Sequence, residues 1–318
     1  MNIQQKLLEP ARIALLDCLG LGKAERLLVV TDDPCLEIGQ ALYTAAIPLC
    51  KEVVLVKIKP RHENGNEPPE PVGEWFGQFD VAIMPTSKSL SHTQARRAAC
   101  AKGTRIATLP GITSEIFIRT MKADWKKLGS FTRRIASQMS KAQSIRVTNK
   151  AGTDISFLTG GRTAKPDDGR IMLKGAFGNL PAGEAYLAPL EGTAEGTVVF
   201  DGSFGLGGIA ENPLILTVKK GKVVKTEGSA SKDLEALFIK YRNNARNIAE
   251  FGVGTLDTAR ITGNTLEDEK VKGTIHIAVG DNASMGGKVK VPLHLDGIVT
   301  KPNVWLDGVE WMVDGEMV

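Results

Sequence analysis

The sequence predicts an α/β protein in two parts, an N-terminal domain on a parallel, doubly wound sheet and a sheet-rich α+β domain after it. Three observations carry that expectation. Strand and helix patterns alternate through the first part of the chain. From about residue 140 they give way to short strands separated by Gly, Asn and Asp turns. The length of 318 residues exceeds what one hydrophobic core usually serves.

The opening "MNIQQKLLEPARIALLDCLG" has helical spacing and acidic residues, unlike a secretory leader, so a cytoplasmic protein is expected. "RLLVVTDD" (26–33) is a β-branched run that ends in helix N-cap residues. "CLEIGQALYTAAI" is helical and "KEVVLVKIKP" (51–60) is a second strand, which completes a βαβ unit. After a charged, Pro-rich loop come a strand in "DVAIMPTS", a helix in "SHTQARRAACAKG" closed by Gly103, and a strand in "TRIATLPG". Residues 1–135 are therefore expected to form a Rossmann-like domain. Thr31-Asp32-Asp33-Pro34 stands where a dinucleotide fold would carry GxGxxG, and no ribose-binding acid follows the second strand, so NAD is not expected. "SMGGK" (284–288) lacks P-loop spacing, and "SASK" (229–232) lacks its companion motifs. His92, near a helix start, is left to capping or packing.

Residues 136–318 are expected to form the metal-binding α+β domain. "SIRVTNKAGTDISFLTGG" begins its short strands, and Leu234, Leu237, Phe238, Tyr241, Ala245 and Ile248 predict one long helix over 232–250. Asp307-Gly308 in "VWLDGVEWMVDG" predicts a two-residue hairpin turn.

Composition excludes several functions. No apolar run reaches the length that spans a membrane. A net charge of +4 is spread along the chain without a basic stripe, so no nucleic-acid partner is expected. Cys18, Cys35, Cys50 and Cys100 show no CxxC spacing and are read as reduced core thiols.

Six polar residues of the second domain do not suit their surroundings. Glu250 falls at the end of the predicted helix, where the macrodipole disfavours a carboxylate and a nearby cation would relieve it. His276 sits in the strand pattern "GTIHIAVG" among small neighbours, just after Asp268 and Glu269 of "LEDEK", whose plainer reading is a solvated turn. Glu184 lies in the nearly uncharged "GNLPAGEAYLAP". In "KVPLHLDG", His294 and Asp296 share one strand face, although Asp296-Gly297 also matches a hairpin turn. Glu, Asp and His together, without Cys, suit two ions chosen from Zn, Mn, Co or Fe(II).

At these residues the chain resembles the thermophilic metallo-aminopeptidases, the group of aminopeptidase T, aminopeptidase S and PepS. "NLPAGEAYLAP", "EGTAEGTVVFDGS", "NIAEFGVGT", "DEK" followed by "GTIHIAVG", and "HLDG" carry the resemblance. It implies that Glu184, Glu250, Glu269, His276, His294 and Asp296 ligate two divalent ions (Zn, Co or Mn), with Glu184 or Glu250 as base for a metal-activated water. It further implies a homodimer that removes residues from peptides with a free N-terminus. Three departures are visible: a chain shorter than is typical of those peptidases, a longer interval between Glu269 and His276, and Ala283 where the family has a tyrosine seven residues after the histidine.

The same superfamily is similar to iron-dependent ring-opening dioxygenases of dihydroxypyridines. For them His276, His294 and Asp296 would form a two-His-one-carboxylate set on Fe(II). The sequence keeps three glutamates that a single iron does not need, which makes the aminopeptidase the expected function and the dioxygenase its alternative. A metal-retaining binding protein without activity is the third reading.

Overall fold

The apolar runs of the N-terminal part fold as their patterns predict. In the computed structural model, which describes residues 3–206, 208–209 and 212–318, Arg26–Thr31 pairs in parallel with Glu52–Lys57 on one side and Val81–Thr86 on the other. Arg105–Pro110 extends the sheet, and Phe177–Asn179 adds a fifth parallel strand from much later in the chain. Leu27 to Val30 and Val81 to Met84 are fully buried because helices cover a parallel sheet on both faces. Thr93 caps the helix Gln94–Ala101 by accepting from the Arg96 amide at 3.2 Å, and Gly103 follows it at a φ of 103°. Cys35 is buried, and burial followed by the charge of Asp32 pushes its thiol up to about 12, which makes it inert as a nucleophile.

Two compact units make up the chain. The first comprises 1–127 with 169–182, the second 128–168 with 183–318. The second holds an eight-stranded and a five-stranded antiparallel sheet. Val147, Ile155, Val198 and Leu216 of the larger sheet share one core with Ala185, Phe251, Ile277 and Val299 of the smaller. Four strands of the smaller sheet, Glu184–Leu187, Ile248–Gly254, Thr274–Gly280 and His294–Thr300, thus turn residues into that core and others to the opposite face.

Two local expectations need correction. The predicted helix over 232–250 ends early, as a helix Ser231–Tyr241, a 3-10 turn Arg242–Arg246 and a strand Ile248–Gly254. Arg242 has a φ of 62°, which no helix propagates, and Ala245 and Ile248 matched the helical spacing only by coincidence. Glu250 is therefore a strand residue, and the macrodipole explanation for it falls. Asp296-Gly297 is likewise no turn: both lie inside the strand His294–Thr300, where a Cβ on Gly297 would meet the Phe200 ring at 2.4 Å. Asp307-Gly308 does form the predicted hairpin turn, with φ values of 52° and 80° between Asn303–Leu306 and Val309–Val313. Among the described residues no helix is long and apolar enough to cross a membrane.

Candidate metal centre

The five-stranded sheet runs in the order His294–Thr300, Thr274–Gly280, Ile248–Gly254, Glu184–Leu187, Lys165–Asp167. Ile275, Ile277, Val279, Phe251, Val253, Ala185 and Leu187 enter the core, so His276, Gly252, Glu184 and Tyr186 lie on the other face. A bulge between Ile248 and Glu250 puts Ile248 in the core and Glu250 on that same polar face. Asp296 stands opposite Ala278, which stands opposite Glu250, so a methyl group separates two carboxylates. His276 stands opposite Gly252, where a Cβ would lie 2.0 Å from its Nε2. Gly254 gives similar room to the backbone at Val271, whose carbonyl lies 2.0 Å from where its Cβ would be.

These neighbours gather five of the six expected residues into two overlapping groups, Glu184–Glu250–His276 and Glu250–His294–Asp296, with the ligand atoms of each within 4.8 Å of one another. His276 Nε2 lies 3.2 Å from Glu184 Oε2 and 3.5 Å from Glu250 Oε1. His294 Nε2 lies 3.1 Å from Glu250 Oε2 and 3.5 Å from Asp296 Oδ1. The other nitrogen of His294 sits 2.8 Å from the Asp281 carbonyl, which orients the ring. Both nitrogens of His276 and Oε2 of Glu184 are buried without a hydrogen-bond partner. Each such group costs about 1–3 kcal/mol, and a cation among them would remove that cost. The donors therefore fit a divalent ion.

Glu269, the sixth expected residue, stands outside both groups and pairs with Lys270 at 2.8 Å. Lys270 is the residue that sequence reading missed. Its ammonium is 1% exposed, 2.6 Å from Glu184 Oε1 and 3.6 Å from Asp167 Oδ2. A buried lysine is rare unless paired, but "DEK" gives no sign that the lysine turns inward. One ammonium does not balance Asp167, Glu184, Glu250, Glu269 and Asp296. Burial pushes the Glu269 carboxyl up to about 8 against the pull of Lys270, with Glu184 and Asp296 adding to the rise. Asp167 rises to about 7 through burial, opposed by Lys270 and reinforced by Glu184. Burial works against Glu184 too, but Lys270 and His276 hold it below its usual value. The acids crowd one another in a buried site. Burial opposes it, but in the absence of an ion the carboxylates beside His276 and His294 favour the protonated imidazoles, the positive charge that a bound cation would supply.

The supports are also polar and buried. The expectation of a solvated turn at "LEDEK" is corrected: Asp268 is fully buried, and its carboxylate accepts from Ser203 Oγ at 2.6 Å, Thr262 N at 2.7 Å and Gly263 N at 2.9 Å. Between the two histidine strands, Asn282 donates to Glu191 at 2.9 Å, and Arg162 donates to the same carboxylate at 2.5 Å. Burial raises Glu191, yet the Lys288 amide, Arg162 and Asn282 outweigh it and hold the carboxyl at about 2. Ala283 lies in this loop and carries no phenol.

Fold and site together define a two-unit α/β protein with a buried histidine–carboxylate centre. A family model described as NicX, 2,5-dihydroxypyridine 5,6-dioxygenase, matches residues 37–318, and the chain belongs to that family. A 2,5-dihydroxypyridine 5,6-dioxygenase of Pseudomonas putida is 26% identical over 198 residues, a stretch that covers 57% of this chain and 55%, about half, of that relative. The structure of 2,5-dihydroxypyridine dioxygenase from Pseudomonas putida KT2440 superposes with a TM-score of 0.84 at 19% identity, over 99% of this chain and 97% of that one. Wild-type AmpT from Thermus thermophilus superposes at 0.77 with 16% identity over the whole of both chains. At such identities both likenesses show the fold alone.

The family overturns the expected aminopeptidase, and with it the hydrolase and protease assignment. The error has a physical source. The three glutamates do not by themselves favour two ions, because Lys270 pairs with Glu269 and with one oxygen of Glu184, whose other oxygen faces His276.

Proposed function

We propose that this protein opens the ring of a dihydroxypyridine-type aromatic with dioxygen, at one ferrous ion on the polar face of the five-stranded sheet. The observation that supports the reading is the pair of groups Glu184–Glu250–His276 and Glu250–His294–Asp296, which share Glu250 and so set two histidines and an aspartate around one carboxylate, in a chain of this family. His276, His294 and Asp296 would hold the ion, and Glu250 lies between the two imidazoles. This donor set leaves ligand positions open, and Fe(II) bound there supplies the activation of dioxygen and a point of attachment for ring hydroxyls.

The chain's own residues perform the remaining work. The Asp281 carbonyl fixes the His294 ring so that Nε2 points at Glu250 and Asp296. Lys270 holds Glu184 through Oε1 and leaves Oε2 facing His276. Glu250 and Glu184 are held ionised, since burial around them is outweighed by the neighbouring imidazoles and by Lys270, and as carboxylates they can accept hydrogen bonds from ring hydroxyls.

The test is direct. Protein loaded anaerobically with Fe(II) should consume one dioxygen per 2,5-dihydroxypyridine, with loss of the aromatic absorbance. Iron-loaded protein that leaves both dioxygen and substrate untouched would sink the reading.

A further inference from the structure

Tyr186 lies on the metal-bearing face, two residues from Glu184, while Ala185 and Leu187 of the same strand belong to the core. Its cross-strand neighbours are Gly252 and Lys165. Gly252 has no side chain, and His276 stands directly beyond it. Lys165 is drawn away to the Ser284 carbonyl, at 2.6 Å. The phenol is half-buried, and the charges it feels most are those of Glu250, Glu184 and Asp167.

The polar groups of this face are otherwise spoken for. Glu184 and Asp167 answer Lys270, while His276, Glu250, His294 and Asp296 form the cation groups. Thr274 donates its hydroxyl to the Val271 carbonyl at 2.9 Å. Among the described residues of the face, Tyr186 is the one hydroxyl without a hydrogen-bond partner. Carboxylates accept hydrogen bonds, and a ligating imidazole nitrogen has none to give. A hydroxylated ring that approaches the ion with its oxygens foremost meets acceptors on nearly every side and needs a donor.

Building on the function proposed above, we propose that Tyr186 is a substrate-positioning residue, whose hydroxyl donates a hydrogen bond to one ring oxygen of a dihydroxypyridine-type substrate. No bond of the protein changes and no proton is transferred. The interaction sets the orientation of the ring on the centre and discriminates against rings that lack that oxygen.

Tyr186→Phe tests this with the Fe(II)-loaded full chain. Iron per chain is measured first, then anaerobic binding of 2,5-dihydroxypyridine, 2-hydroxypyridine and 3-hydroxypyridine by absorbance titration, then KM and kcat from dioxygen uptake. The expected result is unchanged iron content, with Kd and KM for 2,5-dihydroxypyridine raised about tenfold. One of the two monohydroxy rings lacks the contacted oxygen, and it should bind wild type and variant alike. Equal Kd and KM in an active wild type and in Tyr186→Phe would overturn the assignment. So would loss of iron, which would make Tyr186 a support of the centre, or equal weakening for both monohydroxy rings. A wild type that neither binds nor consumes 2,5-dihydroxypyridine fails at an earlier step and removes the functional reading together with this one.

Discussion

The two ends of the polar sheet face hold the same kinds of side chain and treat them differently. At the Glu184 end a buried ammonium built into the chain satisfies Glu184, Glu269 and Asp167. At the His294 end no lysine or arginine among the described residues takes part, and the imidazole and carboxylates face one another at 3.1 to 3.5 Å with His294 partly open to solvent. A permanent cation serves part of the first end, where Glu184 Oε2 and His276 still lack a hydrogen-bond partner, and an exchangeable one suits what remains. The difference teaches that carboxylates in a metal-rich motif cannot be counted as ligands until their other partners are known.

The sharpest way to break the comparison is Lys270→Met. It strands Glu184 and Glu269 in a buried site, and loss of one partner from such a pair costs about 3–5 kcal/mol. Urea unfolding under chelator should show that drop. Added divalent metal should restore part of it if an external cation can replace the ammonium.

Gly252→Ala strikes the border between the ends, because the new methyl would lie 2.0 Å from His276 Nε2. Overpacking of this kind costs about 1–3 kcal/mol. Elemental analysis should show lost metal, whereas an unchanged metal content would mean that His276 moves aside freely.

His294→Ala should act on one end alone. Metal content should fall while the chelated protein unfolds within about 1 kcal/mol of wild type, since the ring is partly exposed and outside the core. Full metal occupancy in this variant would place the ion at the Glu184 end.

The smallest effect concerns the loop between the histidine strands. The folded Glu191 carboxyl titrates at about 2, below its ordinary 4.5, so its contribution to stability is present above 4.5 and is lost as pH falls toward 2. Glu191→Gln should flatten the acid limb of the stability curve in that window. An identical limb in both proteins would show that the Arg162 and Asn282 contacts are not maintained in solution.

Much of the fold was legible before the structure. Arg26–Thr31, Glu52–Lys57, Val81–Thr86 and Arg105–Pro110 emerge from β-branched runs bounded by caps and Gly103, because both faces of a parallel strand must be apolar. Phe177–Asn179 was not legible, since three residues carry no periodicity and only sheet pairing makes them a strand. The break of the predicted helix at Arg242 was hidden as well, because an arginine at positive φ has no sequence signature. In the site, His276, His294 and Asp296 stood out as polar groups in apolar strand patterns and Glu184 as a carboxylate in a nearly uncharged segment, whereas Glu250 was singled out as the end of a helix that in fact stops at Tyr241. Lys270 and Tyr186 did not, since a lysine in a charged turn and a tyrosine in a strand look ordinary until their directions are known.

Local alternation by itself determined the parallel sheet, the hairpin at Asp307-Gly308 and the residues able to meet a cation, since each depends on neighbours a few positions away. Tertiary structure alone decided which carboxylates remain for that cation. Strand register set Gly252 against His276 and Ala278 between Glu250 and Asp296, and it brought residues as distant as Asp167 and Lys270 within reach of one another. Charge compensation acts through space, so the partner that neutralises a buried group can come from any part of the chain.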